Sequence, residues 1–186
     1  MNRLLRHLPN TLTGARFLAA PATAYLLLHG VFNWALVVFV LAGLSDAVDG
    51  YLAKRLAPGS TFGVYLDPAA DKLLMLMSLI SLTKLDITPL WLTLIVIARD
   101  VAILAGIAVA RSLSLPIRIA PLPIGKASTA IQVGYVGLVL FLLAFGIGAD
   151  RLRTTAGLAA AVITLASAFA YANVWLRAFA LRRRTA

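Results

Sequence analysis

The sequence contains no cysteine. Disulfides and thiolate metal sites are therefore excluded. Histidine is nearly absent too. His7 and His29 stand apart, each near the end of an apolar segment. A histidine-based triad or zinc site has little support. Charge is scarce: Asp, Glu, Lys and Arg make up 13% of the 186 residues, about half the soluble norm. What fills the chain is apolar, at 61% hydrophobic residues and a mean hydropathy of +0.93. That balance points to an integral membrane protein, a single domain over residues 1–186.

The net charge of +10 raises the question of nucleic acid. The basic residues flank long apolar stretches, and no basic face interleaved with aromatics is present, so a nucleic-acid partner is not expected. Basic residues beside membrane spans set topology and meet anionic headgroups. The opening "MNRLLRHLPN" lacks a hydrophobic core region and a cleavage site, and Pro9 interrupts it, so it does not read as a secretory signal.

Six helical segments read as spans, for which about 20 residues are needed. They run from Thr11 to Leu28, from Phe32 past Leu44 into "DAVDG", from Pro68 to Thr83, from Pro89 to Ala110, from Lys126 to Ile147 and from Thr154 to Phe179. No fixed period relates them. The expected fold is an all-α bundle of six transmembrane helices. Of the 17 basic residues, eleven collect on one side: Arg3, Arg6, Lys54, Arg55, Arg111, Arg118, Lys126, Arg177, Arg182, Arg183 and Arg184. Three (Lys84, Arg151, Arg153) fall on the other, and Arg16, Lys72 and Arg99 lie within spans. The asymmetry places both termini, and the acidic cluster, at the cytoplasmic face. The closing "LRRRTA" reads as an anchoring tail.

The acids are distributed unevenly. Four of the seven, Asp46, Asp49, Asp67 and Asp71, fall within 26 positions. Asp46 and Asp49 are three apart, and Asp67 and Asp71 four apart, so each pair shares a helix face. Between the pairs, Pro58 and Gly59 break the helix. The stretch reads as helix, turn, helix, and the two carboxylate pairs could face each other. Four clustered carboxylates at a membrane interface repel unless something neutralises them. Oxygen-only ligands favour magnesium, manganese or calcium over zinc. Three or four aspartates can hold two ions, which clamp the oxygens of a phosphoryl displacement. Gly50 is one turn after Asp46, Ala53 one turn after Asp49, and Gly63 one turn before Asp67. Small side chains there leave room for a ligand, and Lys54 and Arg55 could meet phosphates. The plainer alternative makes Asp67 a helix N-cap, with Pro68 at the first helical position. The paired spacing and the small residues on the same faces favour a metal site instead.

These residues resemble the signature of the CDP-alcohol phosphotransferase family, D-x2-D-G-x2-A-R-x8-G-x3-D-x3-D. Here it reads Asp46, Asp49, Gly50, Ala53, Lys54, Gly63, Asp67 and Asp71, with every spacing kept. The one departure is Lys54 in place of arginine, which keeps the charge but loses the bidentate fork. The resemblance extends from about Leu8 to Phe179. "LPNTLTGAR" is similar to the P-N-x-L-T-x-x-R opening of the family's phosphatidyltransferases. "LDPAADK", "IARDV" and "IGKASTAIQ" look like the subgroup of cardiolipin and phosphatidylglycerophosphate synthases.

The resemblance implies a six-helix membrane bundle, usually a homodimer, with a polar cavity near the cytoplasmic face of, here, a bacterial inner membrane. It implies that Asp46, Asp49 and Asp67 hold two Mg2+ (or Mn2+) ions with help from Asp71, and that Asp71 is the general base. Gly50, Ala53, Lys54 and Gly63 would form the CDP pocket. The implied reaction moves a phosphatidyl group from CDP-diacylglycerol to a hydroxyl, releasing CMP. Phosphatidylglycerol is the slightly favoured acceptor and glycerol-3-phosphate the alternative. Arg16, Lys72, Arg99, Arg111, Arg118 and Lys126 are candidates to bind the acceptor's phosphate. Arg99, mid-span, should face the interior and pair, either with Asp100 or with a bound phosphate. Lys126 is either a snorkelling anchor or a phosphate contact. A different class remains open: a membrane transporter whose acids bind a cation.

Overall fold

The computed structural model describes the backbone over residues 3–56, 61–112 and 122–185, and side chains over residues 14–45, 70–110, 112 and 122–177. All of the regular structure among these residues is helical. The helices are α1 (Arg3–Leu28), α2 (Phe32–Leu56), α3 (Thr61–Lys84), α4 (Leu90–Ser112), α5 (Pro123–Ala144) and α6 (Asp150–Thr185).

Helix ends follow local chemistry. α1 closes with Gly30 N–H donating to the Leu27 carbonyl and Val31 N–H to that of Leu26, and Gly30 sits at φ 73°. This is the Schellman arrangement, in which a left-handed residue satisfies the last carbonyls. α5 ends the same way through Gly146 at φ 62°, and α3 through Asp86 at φ 58°. At α5 the other end begins on Pro123, which fits the first helical position because its missing N–H has no partner there.

Two compact units divide the chain. In the first, Met1–Ile87 with Val136–Ala149, α1 packs on α3 and α2, and α2 touches α3. α1 buries Arg16, Ala20, Thr23, Ala24 and Leu27, a stripe at helical spacing. α3 buries Ala70, Leu74, Ser78 and Leu82. Small and hydroxylated residues on packed faces let the backbones approach closely, which is how helices associate where water supplies no drive. In the second unit, Thr88–Tyr135 with Asp150–Ala186, α4 packs on α6. α6 presents Gly157, Ala160, Ala161, Thr164 and Ser167 as its buried face.

Large apolar side chains cover the outside. Trp34, Leu41, Leu104, Phe145, Val162 and Phe169 are all exposed. A water-soluble surface does not carry so many. Leu90–Ala110, Pro123–Ala144 and Asp150–Arg177 are each long and apolar enough to cross a bilayer. Gly14–Leu28 and Phe32–Ser45 are shorter apolar stretches.

Several sequence expectations need correction. The first helix begins at Arg3, not near Thr11, and Pro9 does not interrupt it. Proline removes one backbone donor, which a helix can lose when the rest of its ladder is intact. The third helix begins at Thr61, not Pro68. Asp67 is therefore the seventh residue of α3 and cannot be its N-cap. α5 starts three residues before Lys126 and stops at Ala144. α6 has 36 residues and so runs about 54 Å at 1.5 Å per residue, past both ends expected for it.

Candidate active site

The signature residues lie on two consecutive helices of the first unit. Asp46, Asp49, Gly50, Ala53 and Lys54 belong to the second half of α2. Gly63, Asp67 and Asp71 belong to the first half of α3. Because α3 starts early, these three fall at i, i+4 and i+8 of one unbroken helix, on a single face by register. Pro58 and Gly59, the expected turn, lie outside the described residues, as do the side chains of Asp46, Asp49, Asp67, Lys54 and Arg111, and all of Arg118. Among the described residues no group of three or more His, Cys, Asp or Glu could hold a metal.

Asp71 is the described member of the set. Its Oδ1 accepts a hydrogen bond from Arg16 Nη1 of α1 at 3.2 Å, across 55 positions of sequence. Arg16 is essentially fully buried at 1% side-chain exposure, whereas Asp71 is 42% exposed. Lys72, beside it, is half-buried.

Arg99 sits in another setting, in the second unit. Its Nη1 donates to Asp100 Oδ1 at 2.8 Å, and both side chains are closed off, at 5% and 6% exposure. Nε and Nη2 both donate to Ser167 Oγ, at 3.2 and 2.8 Å, and Nη2 also reaches the Gly125 carbonyl at 3.3 Å. The Tyr171 ring lies 5.8 Å from the guanidinium carbon, within cation–π range. Tyr171 Oη accepts from the Leu122 N–H at 3.1 Å, just before α5. Neighbours on a helix point in different directions, but the long arginine stem curls back far enough to reach Asp100. Lys126 is exposed in the first turn of α5. His29 is exposed, and its Nδ1–H donates to the Tyr25 carbonyl at 2.8 Å at the end of α1.

Of the named basic candidates, the structure therefore brings Arg16 against the acid expected to be the base. Arg99 is enclosed in a polar cage. The cage members Ser167 and Tyr171 escaped the sequence reading, although their i, i+4 spacing on an apolar helix was a signal. The Arg16–Asp71 pairing carried no local signal at all.

A model of the CDP-alcohol phosphatidyltransferase family matches residues 6–181, across both compact units. The chain belongs to this family. Among curated family members, the chain is 36% identical over 180 residues to the cardiolipin synthase (CMP-forming) of Rattus norvegicus, covering 88% of this chain and 60% of that protein. The cardiolipin synthase (CMP-forming) of Streptomyces coelicolor is 41% identical over 115 residues, 59% of this chain and 54% of its own length. A CDP-diacylglycerol–glycerol-3-phosphate 3-phosphatidyltransferase of Bacillus subtilis is 34% identical over 113 residues, 52% of this chain and 58% of its own. The chain thus spans about 60% of the length of the mammalian family member it matches.

Proposed function

We propose that the protein is an enzyme of phospholipid synthesis that transfers a phosphatidyl group from CDP-diacylglycerol to a hydroxyl acceptor and releases CMP. The observation that carries this reading is the complete signature spacing on α2 and α3, within a chain that belongs to the family. Phosphatidylglycerol is the favoured acceptor, because the cardiolipin synthases match over 88% of the chain in the rat case. Glycerol-3-phosphate is the second reading, supported by the Bacillus match over 52% of the chain.

The donor set suits magnesium or manganese. It is all carboxylate, paired at i, i+3 in α2 and at i, i+4 in α3, and hard divalent cations take oxygen ligands. Asp46, Asp49, Asp67 and Asp71 would hold two ions, and these would offset the pyrophosphate charge when bound. Asp71 takes the proton of the acceptor hydroxyl, and its half-open side chain is reachable for that. As the proton leaves, the acceptor oxygen bonds to the lipid-bearing phosphorus, and the bond from that phosphorus to the CMP oxygen breaks. One direct displacement suffices, and trapping of a phosphatidyl-enzyme would refute it. Gly50, Ala53 and Gly63 clear room for the nucleotide, and Lys54 supplies positive charge for its phosphates.

The same reading places six spans in a bacterial inner membrane, with both termini and the site at the cytoplasmic face, and a homodimer as the working form. Purified protein supplied with CDP-diacylglycerol and magnesium should release CMP with phosphatidylglycerol. Release with glycerol-3-phosphate alone would select the second reading. With neither, nor with inositol, inositol phosphate or serine, the enzyme reading fails, and the cation-transporter alternative regains its place.

A further inference from the structure

Among the described residues, two arginine–aspartate pairs have a buried arginine, and they are built differently. Arg99 and Asp100 are both closed off, and the arginine's three nitrogens are all engaged. That is how a structural pair is made: each charge is buried only because the other neutralises it. Arg16 and Asp71 are asymmetric. The cation is sealed in the packed face of α1, on the stripe with Ala20, Thr23, Ala24 and Leu27, while the carboxylate remains open on one side. The half-exposed carboxylate keeps part of its hydration and stays reachable from outside, while the guanidinium that fixes it is buried.

We propose that Arg16 is a positioning residue for Asp71. It holds Oδ1 from the protein side and fixes the orientation of a carboxylate that is 42% exposed. This rests on Asp71 being the base. α1 packs on α3, so the cation stands on a rigid neighbour and not on a loop. A fixed donor on one carboxylate oxygen selects one side-chain orientation. Misplacement of a reacting group by about 1 Å is worth roughly 100-fold in rate. Arg16 accordingly acts on the chemical step and does not contact the phosphate of the acceptor.

The test compares Arg16→Gln and Arg16→Lys with the wild type, and Asp71→Asn is assayed in parallel. kcat should fall about 100-fold in Arg16→Gln, with KM for CDP-diacylglycerol and for the acceptor within about threefold of wild type. Arg16→Lys keeps the charge but not the planar fork, and should recover about tenfold of that loss. CDP binding measured by calorimetry should be unchanged in Arg16→Lys. If Arg16→Gln does not fold, the lysine variant decides, and it should be about tenfold slower than wild type. Wild-type kcat in Arg16→Lys and Arg16→Gln, or a raised acceptor KM with kcat retained, would overturn the proposal while Asp71→Asn remains inactive. An active Asp71→Asn enzyme would instead remove the base assignment, and the role of Arg16 with it.

Discussion

Asp71 joins two properties: a buried guanidinium on one oxygen and a side chain that is 42% exposed. On the proposed reading, Asp71→Asn removes the proton acceptor and keeps the shape. Turnover should drop by at least about 100-fold, with CDP binding in calorimetry largely intact. A near wild-type rate would show that the base lies elsewhere. Lys54 is the second residue of interest, because the family signature has arginine there. Lys54→Arg should retain activity and lower KM for the CDP-lipid a few-fold, since a planar fork meets phosphate in two places. A kcat loss of tenfold or more would show that lysine's compact charge is required. Both positions stand out in the sequence, Asp71 by its spacing from Asp67 and Lys54 by its place in the family signature. The partner of Asp71 does not, because 55 residues and a second helix intervene.

At the scale of elements, helix ends and close approaches set the architecture. Gly30 and Asp86 occupy the same left-handed position at the ends of α1 and α3. A Cβ at Gly30 meets nothing within 4 Å, so Gly30→Ala carries backbone strain alone, about 1 kcal/mol. Asp86→Gly relieves that strain but loosens the unfolded chain, and should be neutral to about 1 kcal/mol stabilising. Denaturation midpoints in detergent should fall for Gly30→Ala and hold or rise for Asp86→Gly, and equal shifts would contradict this account. Gly106 is a different case. A Cβ there falls 2.6 Å from the Trp175 ring of α6, so the ring or the helix must shift. Gly106→Ala should destabilise by about 1–3 kcal/mol, and adding Trp175→Leu should recover part of it. An unshifted melting temperature would show that α6 yields there freely. Hydrophobic runs located these helices but misjudged their ends. Pro9 and Pro68 look like boundaries in the sequence, yet both lie inside helices.

For the whole molecule, the proposed six-span topology is testable because the chain has no cysteine. Single cysteines at His29, Lys84 and Gly148 replace exposed residues near the ends of α1, α3 and α5. Others at Ser112 and Lys126 replace exposed residues at the end of α4 and the start of α5. A membrane-impermeant maleimide applied to spheroplasts should label the first three and spare the last two until the membrane is opened. The reverse pattern would invert the orientation, and a mixed pattern would change the span count.

By itself the sequence determined the membrane class, the six helical segments and the signature that identifies the family. Each of these is local: a run of apolar residues, or carboxylates three and four apart, means the same thing wherever the helix is placed. Only the tertiary structure decided which basic residue meets which acid. Arg16 reaches Asp71 because α1 packs on α3. Arg99 is enclosed because α6 brings Ser167 to it. The physical reason is the range of the interaction. Register along one helix follows from 3.6 residues per turn, whereas contacts between helices depend on how small residues let two backbones approach.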